Sequence, residues 1–437
     1  MVTYKVLVGV GPPVFRPPII CFFNVGNSCP SPFGGGTFFI GFYIMTAHFD
    51  WPLPDSISDF DRAEQAKKTR IIRLGRVVIG GGAQVAVQTM LNTDTRDVAA
   101  TLAQLKRVVK AGAEIVRLAV PDERAADCLK EIIPESPVPL VADIHFDWRL
   151  AIRSLESGMT GLRINPGNIG GPDKVRRVAE AAGKQGAVIR VGVNSGSLEK
   201  AVLAKRGGRP TAGAMVESAL DKVRLLEETG FKDIKVSLKG SSVMETVAAV
   251  RLWATVSDIP QHIGITEAGD AASGAVKSAV GLGLMLAEGL GDTLRVSLTA
   301  PPEEEVRVAW EILRAVGLRS RGVEIISCPT CGRTEGPLLE MAAEVKRRLA
   351  DITAPLTVAV MGCVVNGPGE AREADAGVAL GRGDGLIFVR GRPLRRAPYD
   401  QLSALLENEV RNLMTKQNSA TLANDTDFRG GKKHVFN

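Results

Sequence analysis

The chain has 437 residues, 45% of them hydrophobic and 23% charged, with a formal net charge of +6. This length carries more than one folded unit, and the composition is that of a globular chain, neither disordered nor fibrous. Aromatic residues make up only 5%, too few for a nucleic-acid binder that stacks bases, while the modest positive charge suits small anions as well as polynucleotides.

Residues 1–63 differ in character from the rest of the chain. Pro12-Pro13, Pro17-Pro18 and Pro30 interrupt any regular element. The apolar run 33–45 is broken by Gly34-Gly35-Gly36 and falls short of the roughly 20 residues a membrane-spanning helix needs. Arg16 is the only arginine before Arg62, a poor match to an Arg-rich transit peptide. The segment is expected to be a disordered extension, with Met45 as an alternative start. No membrane anchor is expected. Six cysteines are too few to staple a chain this long, which points to a reducing, cytoplasmic setting.

From residue 84 to residue 317 apolar, β-branched runs alternate with amphipathic stretches. Strands are predicted at 84–91, 114–120, 139–144, 160–165, 187–193, 233–238, 262–266 and 293–298. Thr95-Arg96-Asp97 opens one helix and Pro301-Pro302-Glu303-Glu304 the last, with proline and acids where a first turn favours them. Short, continuously apolar strands covered by helices mean a parallel sheet. Eight such units predict a closed (β/α)8 TIM barrel over 64–320, with a doubly wound open sheet as the rival. A smaller α/β domain is expected over 321–411 and a polar tail over 412–437.

Polar residues fall where the predicted strands end: Arg117, Asp143 and His145, Arg163 with Asn165, Arg190 with Asn194, Lys239, Thr266-Glu267, and Arg295 with Ser297. In a barrel these ends share one face, where the chemistry of this fold occurs. Arg117, Arg163, Arg190, Lys239 and Arg295 would converge there on a multiply charged anion such as a diphosphate. The plainer alternative is that each cation pairs with a neighbouring carboxylate. Gly80-Gly81-Gly82 and Gly281-Leu282-Gly283 lack the full dinucleotide fingerprint and read as turns. Cys128 reads as a buried thiol and His262, which starts a strand, as structural.

Beyond the barrel, Cys328-Pro329-Thr330-Cys331 is followed by Gly362-Cys363 and, in the same glycine-rich loop, Glu370. A structural zinc site would want four good ligands, and a thioredoxin-like disulfide would leave Cys363 without a use. An iron–sulfur cluster with an incomplete thiolate set fits better, with Glu370 as a hard, exchangeable ligand beside three soft ones.

These segments, together with Arg163-Ile164-Asn165-Pro166-Gly167-Asn168, Gly192-Val193-Asn194-Ser195-Gly196-Ser197, Ile265-Thr266-Glu267-Ala268-Gly269 and Arg295-Val296-Ser297-Leu298-Thr299, resemble the 4-hydroxy-3-methylbut-2-en-1-yl diphosphate synthases of the non-mevalonate isoprenoid pathway. The resemblance runs from about Lys68 to about Asn408 and is to the short bacterial form. It implies a [4Fe-4S] cluster on Cys328, Cys331, Cys363 and Glu370. It also implies reductive ring opening of 2-C-methyl-D-erythritol 2,4-cyclodiphosphate, with electrons from flavodoxin or ferredoxin. The five cations, helped by Asn165, Asn194 and Ser297, would hold the substrate. Asp143, His145 and Thr266 would line the site, and Glu267 would give the proton. A homodimer is implied, one protomer's cluster domain closing over its partner's barrel. A non-redox barrel enzyme with a structural metal knob and a nucleic-acid binder are the competing functions.

Overall fold

The computed structural model describes residues 69–240, 242–266, 268–363 and 371–430, with side chains to residue 415. The predicted extension 1–63 and residues 431–437 lie outside the described residues; residues 412–430 of the expected polar tail instead continue the last helix.

Eight parallel strands form one sheet: β3 (Ala86–Met90), β4 (Ile115–Ala119), β5 (Leu140–Asp143), β6 (Gly161–Ile164), β7 (Val188–Asn194), β8 (Ile234–Lys239), β9 (His262–Ile263) and β10 (Thr293–Leu294). Their order is β8-β7-β6-β5-β4-β3-β10-β9. A parallel bridge between Val236 and Gln261 joins the two ends, so the sheet closes into a barrel and the open doubly wound alternative is excluded. The expected strands 262–266 and 293–298 are cut to two residues each. The chain at Gly264 passes so close to β10 that a Cβ there would stand 2.5 Å from the Arg295 carbonyl oxygen, and the ladder gives way to irregular backbone.

The helices on the outside are α1 (Val98–Ala111), α2 (Glu123–Ile132), α3 (Trp148–Glu156), α4 (Pro172–Gln185), α5 (Lys200–Lys205), α6 (Ala212–Glu227), α7 (Val243–Val256), α8 (Ala271–Ala287) and α9 (Pro302–Ala315). Asp97, Asp122, Asp147, Thr211, Ser242 and Asp270 each cap a helix by accepting a backbone N–H in its first turn. Such caps stabilise by about 1 kcal/mol each. The capping side chains also fix where each strand-to-helix loop ends, and so set the rim of the barrel. Outward-facing strand residues such as Leu118, Ala142, Leu162, Ile189, Val236 and Leu238 pack with the inner faces of these helices in one continuous core.

A short antiparallel hairpin, β1 (Ile72–Leu74) and β2 (Val77–Ile79), lies against the amino end of the strands. Its Ile72, Leu74 and Ile79 bury with Ala86, Ile115, Val141 and Val188, the first inward-facing layer of the barrel. Gly161 supplies the space, since a Cβ there would meet Leu74 Cδ1 at 2.7 Å. The hairpin plugs one end of the barrel, which leaves the carboxyl end as the open mouth.

After α9 the connector is held down by Arg319. Its guanidinium forks onto Glu114 at 2.7 and 2.8 Å, donates to the Val85 carbonyl, and lies 4.7 Å from the Trp310 ring centroid. The second sheet runs β11 (Val323–Ser327), β12 (Leu356–Met361), β13 (Ala376–Leu380), β14 (Asp384–Val389), β15 (Arg392–Pro398). The first three strands are parallel and the last two pairings antiparallel. α10 (Leu338–Arg348) and α11 (Tyr399–Gly430) cover one face through Leu338, Met341, Val345, Leu402, Leu406 and Val410. No described helix is long and apolar enough to cross a membrane.

Replacing the plug residue Leu74, fully buried, by alanine should cost about 2–5 kcal/mol through lost burial and the cavity left behind. Chemical denaturation of the variant against the wild type measures this.

Candidate active site

Side chains alternate across a strand, and in this barrel the inward set is polar. Gln88 on β3, Arg117 on β4, Asp143 on β5, Arg163 on β6, Arg190 on β7, and Lys235, Ser237 and Lys239 on β8 alternate with apolar residues of the outer core. His262, Thr293 and Arg295 continue the ring. Register reinforces the pattern: Asp143, Arg163, Arg190 and Lys235 are consecutive cross-strand partners on β5 to β8. Most barrels fill their inner layers with branched aliphatic residues. Here the layers above the plug hold cations. Glycine at inward positions makes room for them: a Cβ at Gly192 would stand 3.0 Å from Arg163 Nε, and one at Gly264 2.6 Å from Lys239 Nζ.

Among the described residues, five cations, Arg117, Arg163, Arg190, Lys239 and Arg295, thus share the barrel interior and mouth with the carboxylates of Asp143 and Glu305, while the Lys235 amine lies deeper, near Asp292. Asp143 serves several partners. Its Oδ1 accepts from Arg163 Nη1 at 3.3 Å and lies 3.9 Å from Arg117 Nη1, and its Oδ2 is 3.4 Å from His145 Nε2. Burial alone would raise the Asp143 carboxyl. The hydrogen bond with His145 and the fields of Arg117, Arg163 and Arg190 overcome that and hold it well below the usual carboxylate range. The cations show the opposite strain. Burial, with Asp143 opposing and Arg295 and Arg163 adding to it, lowers Arg117 to about 10. Arg190 and Lys239 are pushed well below their ordinary values, first by burial and then by neighbouring cations. Guanidinium groups stay charged at neutral pH, so these shifts describe an interior with too little negative charge. Buried Nε atoms of Arg117, Arg163 and Arg190 have no hydrogen-bond partner among the described residues, which is costly unless a ligand supplies one.

The plainer sequence alternative, pairing with a carboxylate, holds for Arg295. Its guanidinium meets Glu305 on α9 with contacts of 3.1 to 3.2 Å, and Glu305 also accepts from Thr89 Oγ1 at 3.0 Å and from the Leu298 N–H at 3.1 Å. Glu305 gives no signal in the sequence, because it follows two surface acids in a helix first turn. Lys235 was also missed, although strict alternation in Ile234-Lys235-Val236-Ser237-Leu238-Lys239 places it on the face of Lys239. His262 is buried, with Nδ1 2.9 Å from Thr293 Oγ1 and Nε2 without a partner, so it belongs to the polar interior. Cys128, expected to be buried, is only half-buried beside the core.

The remaining rim residues stand at the carboxyl ends of the strands. Asn165 is buried and its Oδ1 accepts from the Gly167 N–H at 3.1 Å. Asn194 ends β7, Ser297 is half-buried, and Thr266 Oγ1 lies 3.3 Å from the Gly240 carbonyl. His145 is exposed on the β5–α3 loop. Glu267 lies outside the described residues. A surface cavity of about 550 Å³ lies on the barrel flank between α2 and α3. Its Arg153 is already paired with Glu123 and Asp127.

In the second sheet, β11 and β12 are adjacent and parallel, with Ser327 opposite Val360. Cys328 therefore leaves one strand end beside the turn that carries Cys363. The Gly362 N–H donates to Cys328 Sγ at 3.1 Å, and Glu335 N–H to the Gly362 carbonyl at 2.9 Å. All three cysteines are free thiols; Cys363 is buried and Cys331 exposed. Backbone and side-chain hydrogen bonds from Arg333 and the charge of that residue lower the Cys331 thiol, favouring the thiolate that a metal requires. No trio of metal-ligating side chains is already gathered among the described residues, and Glu370 lies outside them. The donor chemistry and the neighbouring strand ends nonetheless fit an iron–sulfur group: soft thiolates on short turns, one of them accepting a backbone N–H.

Residues 69–310 match the family model described as the GcpE TIM-barrel domain, and residues 324–412 the GcpE protein C-terminal domain. The chain is 57% identical over 350 residues to the 4-hydroxy-3-methylbut-2-en-1-yl diphosphate synthase (flavodoxin) of Geobacter sulfurreducens, covering 80% of this chain and 99% of that protein. It is 60% identical over 335 residues to the protein of the same name from Maridesulfovibrio salexigens, covering 77% and 93%. With both domains matched and identity this high over nearly the full length of the relatives, the chain belongs to the GcpE family of 4-hydroxy-3-methylbut-2-en-1-yl diphosphate synthases.

Proposed function

We propose that the chain reductively opens 2-C-methyl-D-erythritol 2,4-cyclodiphosphate to (E)-4-hydroxy-3-methylbut-2-en-1-yl diphosphate, with flavodoxin as electron donor. The observation that carries this reading is the gathering of five cations, Arg117, Arg163, Arg190, Lys239 and Arg295, around only Asp143 and Glu305 among the described residues of a closed, plugged barrel. A small polyanion is the ligand such a site accommodates best, and a cyclic diphosphate matches it in charge and size. Two electrons and two protons enter, a ring carbon–oxygen bond breaks, and one oxygen leaves as water.

Arg117, Arg163, Arg190, Lys239 and Arg295 hold the two phosphates, with Asn165, Asn194 and Ser297 completing the hydrogen bonds. Glu305 keeps the Arg295 fork in one orientation, so less side-chain freedom is lost on binding. Asp143 anchors Arg163 and His145, and His145 with Thr266 lines the reacting side of the ring. Glu267, next to Thr266, is the proton donor. Cys328, Cys331, Cys363 and Glu370 hold a [4Fe-4S] cluster, which supplies electrons singly and Lewis acidity when bound. Closure of the cluster domain over the mouth excludes water from the reduced substrate.

The working unit is a cytoplasmic homodimer. α7 and α8 carry exposed apolar side chains in number: Met244, Leu252, Val256, Val276, Val280 and Leu284. Such a patch fits burial against a second copy.

Three measurements test these assignments. Protein purified without air should be brown, with about four irons per chain, and Cys331→Ala should lose most of that iron. A colourless, zinc-loaded wild type would refute the cluster. Arg163→Ala should weaken cyclic diphosphate binding about 10- to 100-fold, the scale of a charge-assisted hydrogen bond, with the visible spectrum unchanged. Val276→Glu combined with Val280→Glu should shift the sedimentation coefficient from dimer to monomer, leaving the unfolding midpoint in place.

A further inference from the structure

One group in the barrel has no part in the functions assigned above. Lys235 is 1% exposed. It lies on the inward face of β8, opposite Arg190 on β7, and four residues before Lys239 on the same face. Its Nζ has no hydrogen-bond partner among the described residues. The charged and titratable groups around it are Arg190 on β7, Arg117 on β4, His262 on β9 and Asp292 just before β10. Asp292 is the only carboxylate among them, and it is occupied: Thr69 Oγ1 donates to it at 2.6 Å and the Gln261 N–H at 2.7 Å. Gln88, also inward-facing on β3, leaves both side-chain polar atoms unpartnered.

A buried ammonium with no partner and two guanidinium neighbours is a high-energy arrangement. Arginines cannot relieve it, because they do not release their protons near neutrality. A lysine can. Burial, followed by the fields of Arg190 and Arg117, lowers the Lys235 amine to about 7. Arrival of two phosphate charges on the cations above offsets most of the positive field it feels.

We propose that Lys235 is a proton-accepting counter-charge of the substrate site, neutral in the empty barrel and taking one proton from solvent when the cyclic diphosphate binds. The proposal rests on the substrate assignment made above. The amine gains a proton and no other bond changes. Each phosphorus of the cyclic diphosphate carries a single strongly acidic hydroxyl, so the ligand itself does not titrate near neutrality. Lys235 is a positioning residue in this sense: it adjusts the charge beneath Arg117 and Arg190 without touching the reacting carbon. Its neutrality in the empty site limits the repulsion the barrel stores before binding, and its protonation adds attraction afterwards.

Linkage sets the sign. Below pH 7 the amine is already charged and binding takes up no proton. Above pH 7 binding must draw one in, so affinity falls as pH rises, approaching about tenfold per pH unit.

The experiment is anaerobic calorimetry of the oxidised, cluster-loaded enzyme with 2-C-methyl-D-erythritol 2,4-cyclodiphosphate, in buffers of different ionisation enthalpy. Uptake should approach one proton at pH 8 and vanish at pH 6. Lys235→Met should abolish the uptake and flatten the pH dependence, with affinity at pH 6 reduced to about the wild-type level at high pH. Lys235→Arg, permanently charged, should also abolish uptake, but with affinity as tight at pH 8 as at pH 6. Far-ultraviolet circular dichroism and iron content confirm that both variants are folded and loaded. Ligand binding with no proton uptake by the wild type would overturn this inference alone. Uptake that persists in both variants would move the titration to Lys239 or His262 and overturn it equally. Failure of the wild type to bind the cyclic diphosphate would remove the substrate assignment and this inference together.

Discussion

Positive charge confined in a closed barrel is the constraint around which this molecule is arranged. Guanidinium and ammonium groups on β4, β6, β7 and β8 and just after β10 point inward, where most barrels of this kind pack aliphatic side chains. Each is tolerable alone. Together they leave buried Nε atoms without partners and draw Asp143 into a position serving Arg117, Arg163 and His145 at once. An interior so arranged is less stable than an aliphatic one, a cost that binding of an anion would offset. This is a trade of stability for function of the kind found at binding sites.

The rest of the barrel supports that concentration. The β1–β2 hairpin closes the amino end with Ile72, Leu74 and Ile79 against Ala86, Ile115, Val141 and Val188, so the cations have access to solvent from the mouth alone. Outer strand faces and helices form an unbroken apolar shell, which keeps the local dielectric low and makes each charge contact count for more than it would in water. Glu305 shows how one helix reaches into this interior. As the third acid in the first turn of α9 it accepts from Thr89, Arg295 and the Leu298 backbone, tying that turn to β3 and β10. Arg319 performs the matching task below, fastening the connector to Glu114 and Trp310.

The second sheet contributes by a different principle. Its parallel strands β11 and β12 end side by side, so residues far apart in the chain leave the sheet at neighbouring points. Cys328 and Cys331 follow one strand and Cys363 the other. The Gly362 N–H bonded to Cys328 Sγ already couples the two turns. Soft donors on short turns, supported by backbone amides, suit an inorganic cluster better than a rigid closed metal cage.

Much of this was legible in the residues themselves. Eight apolar runs separated by capped helical stretches gave the barrel, because periodicity and caps are local properties. The strand-end positions of Arg117, Arg163, Arg190, Lys239 and Arg295 followed from the same alternation. The order of the sheet and its closure through Val236 and Gln261 did not, since closure depends on pairing between residues brought together only by the whole fold. Nor did the pairing of Arg295 with Glu305, where the acid looked like any helix-start glutamate. Lys235 and His262 read as ordinary strand residues until register placed them among guanidinium groups. Local chemistry thus determined which charges this chain carries and which strands bear them. Only the tertiary structure decided which charges are compensated, because compensation is set by distance and burial, and neither is written in the order of the residues.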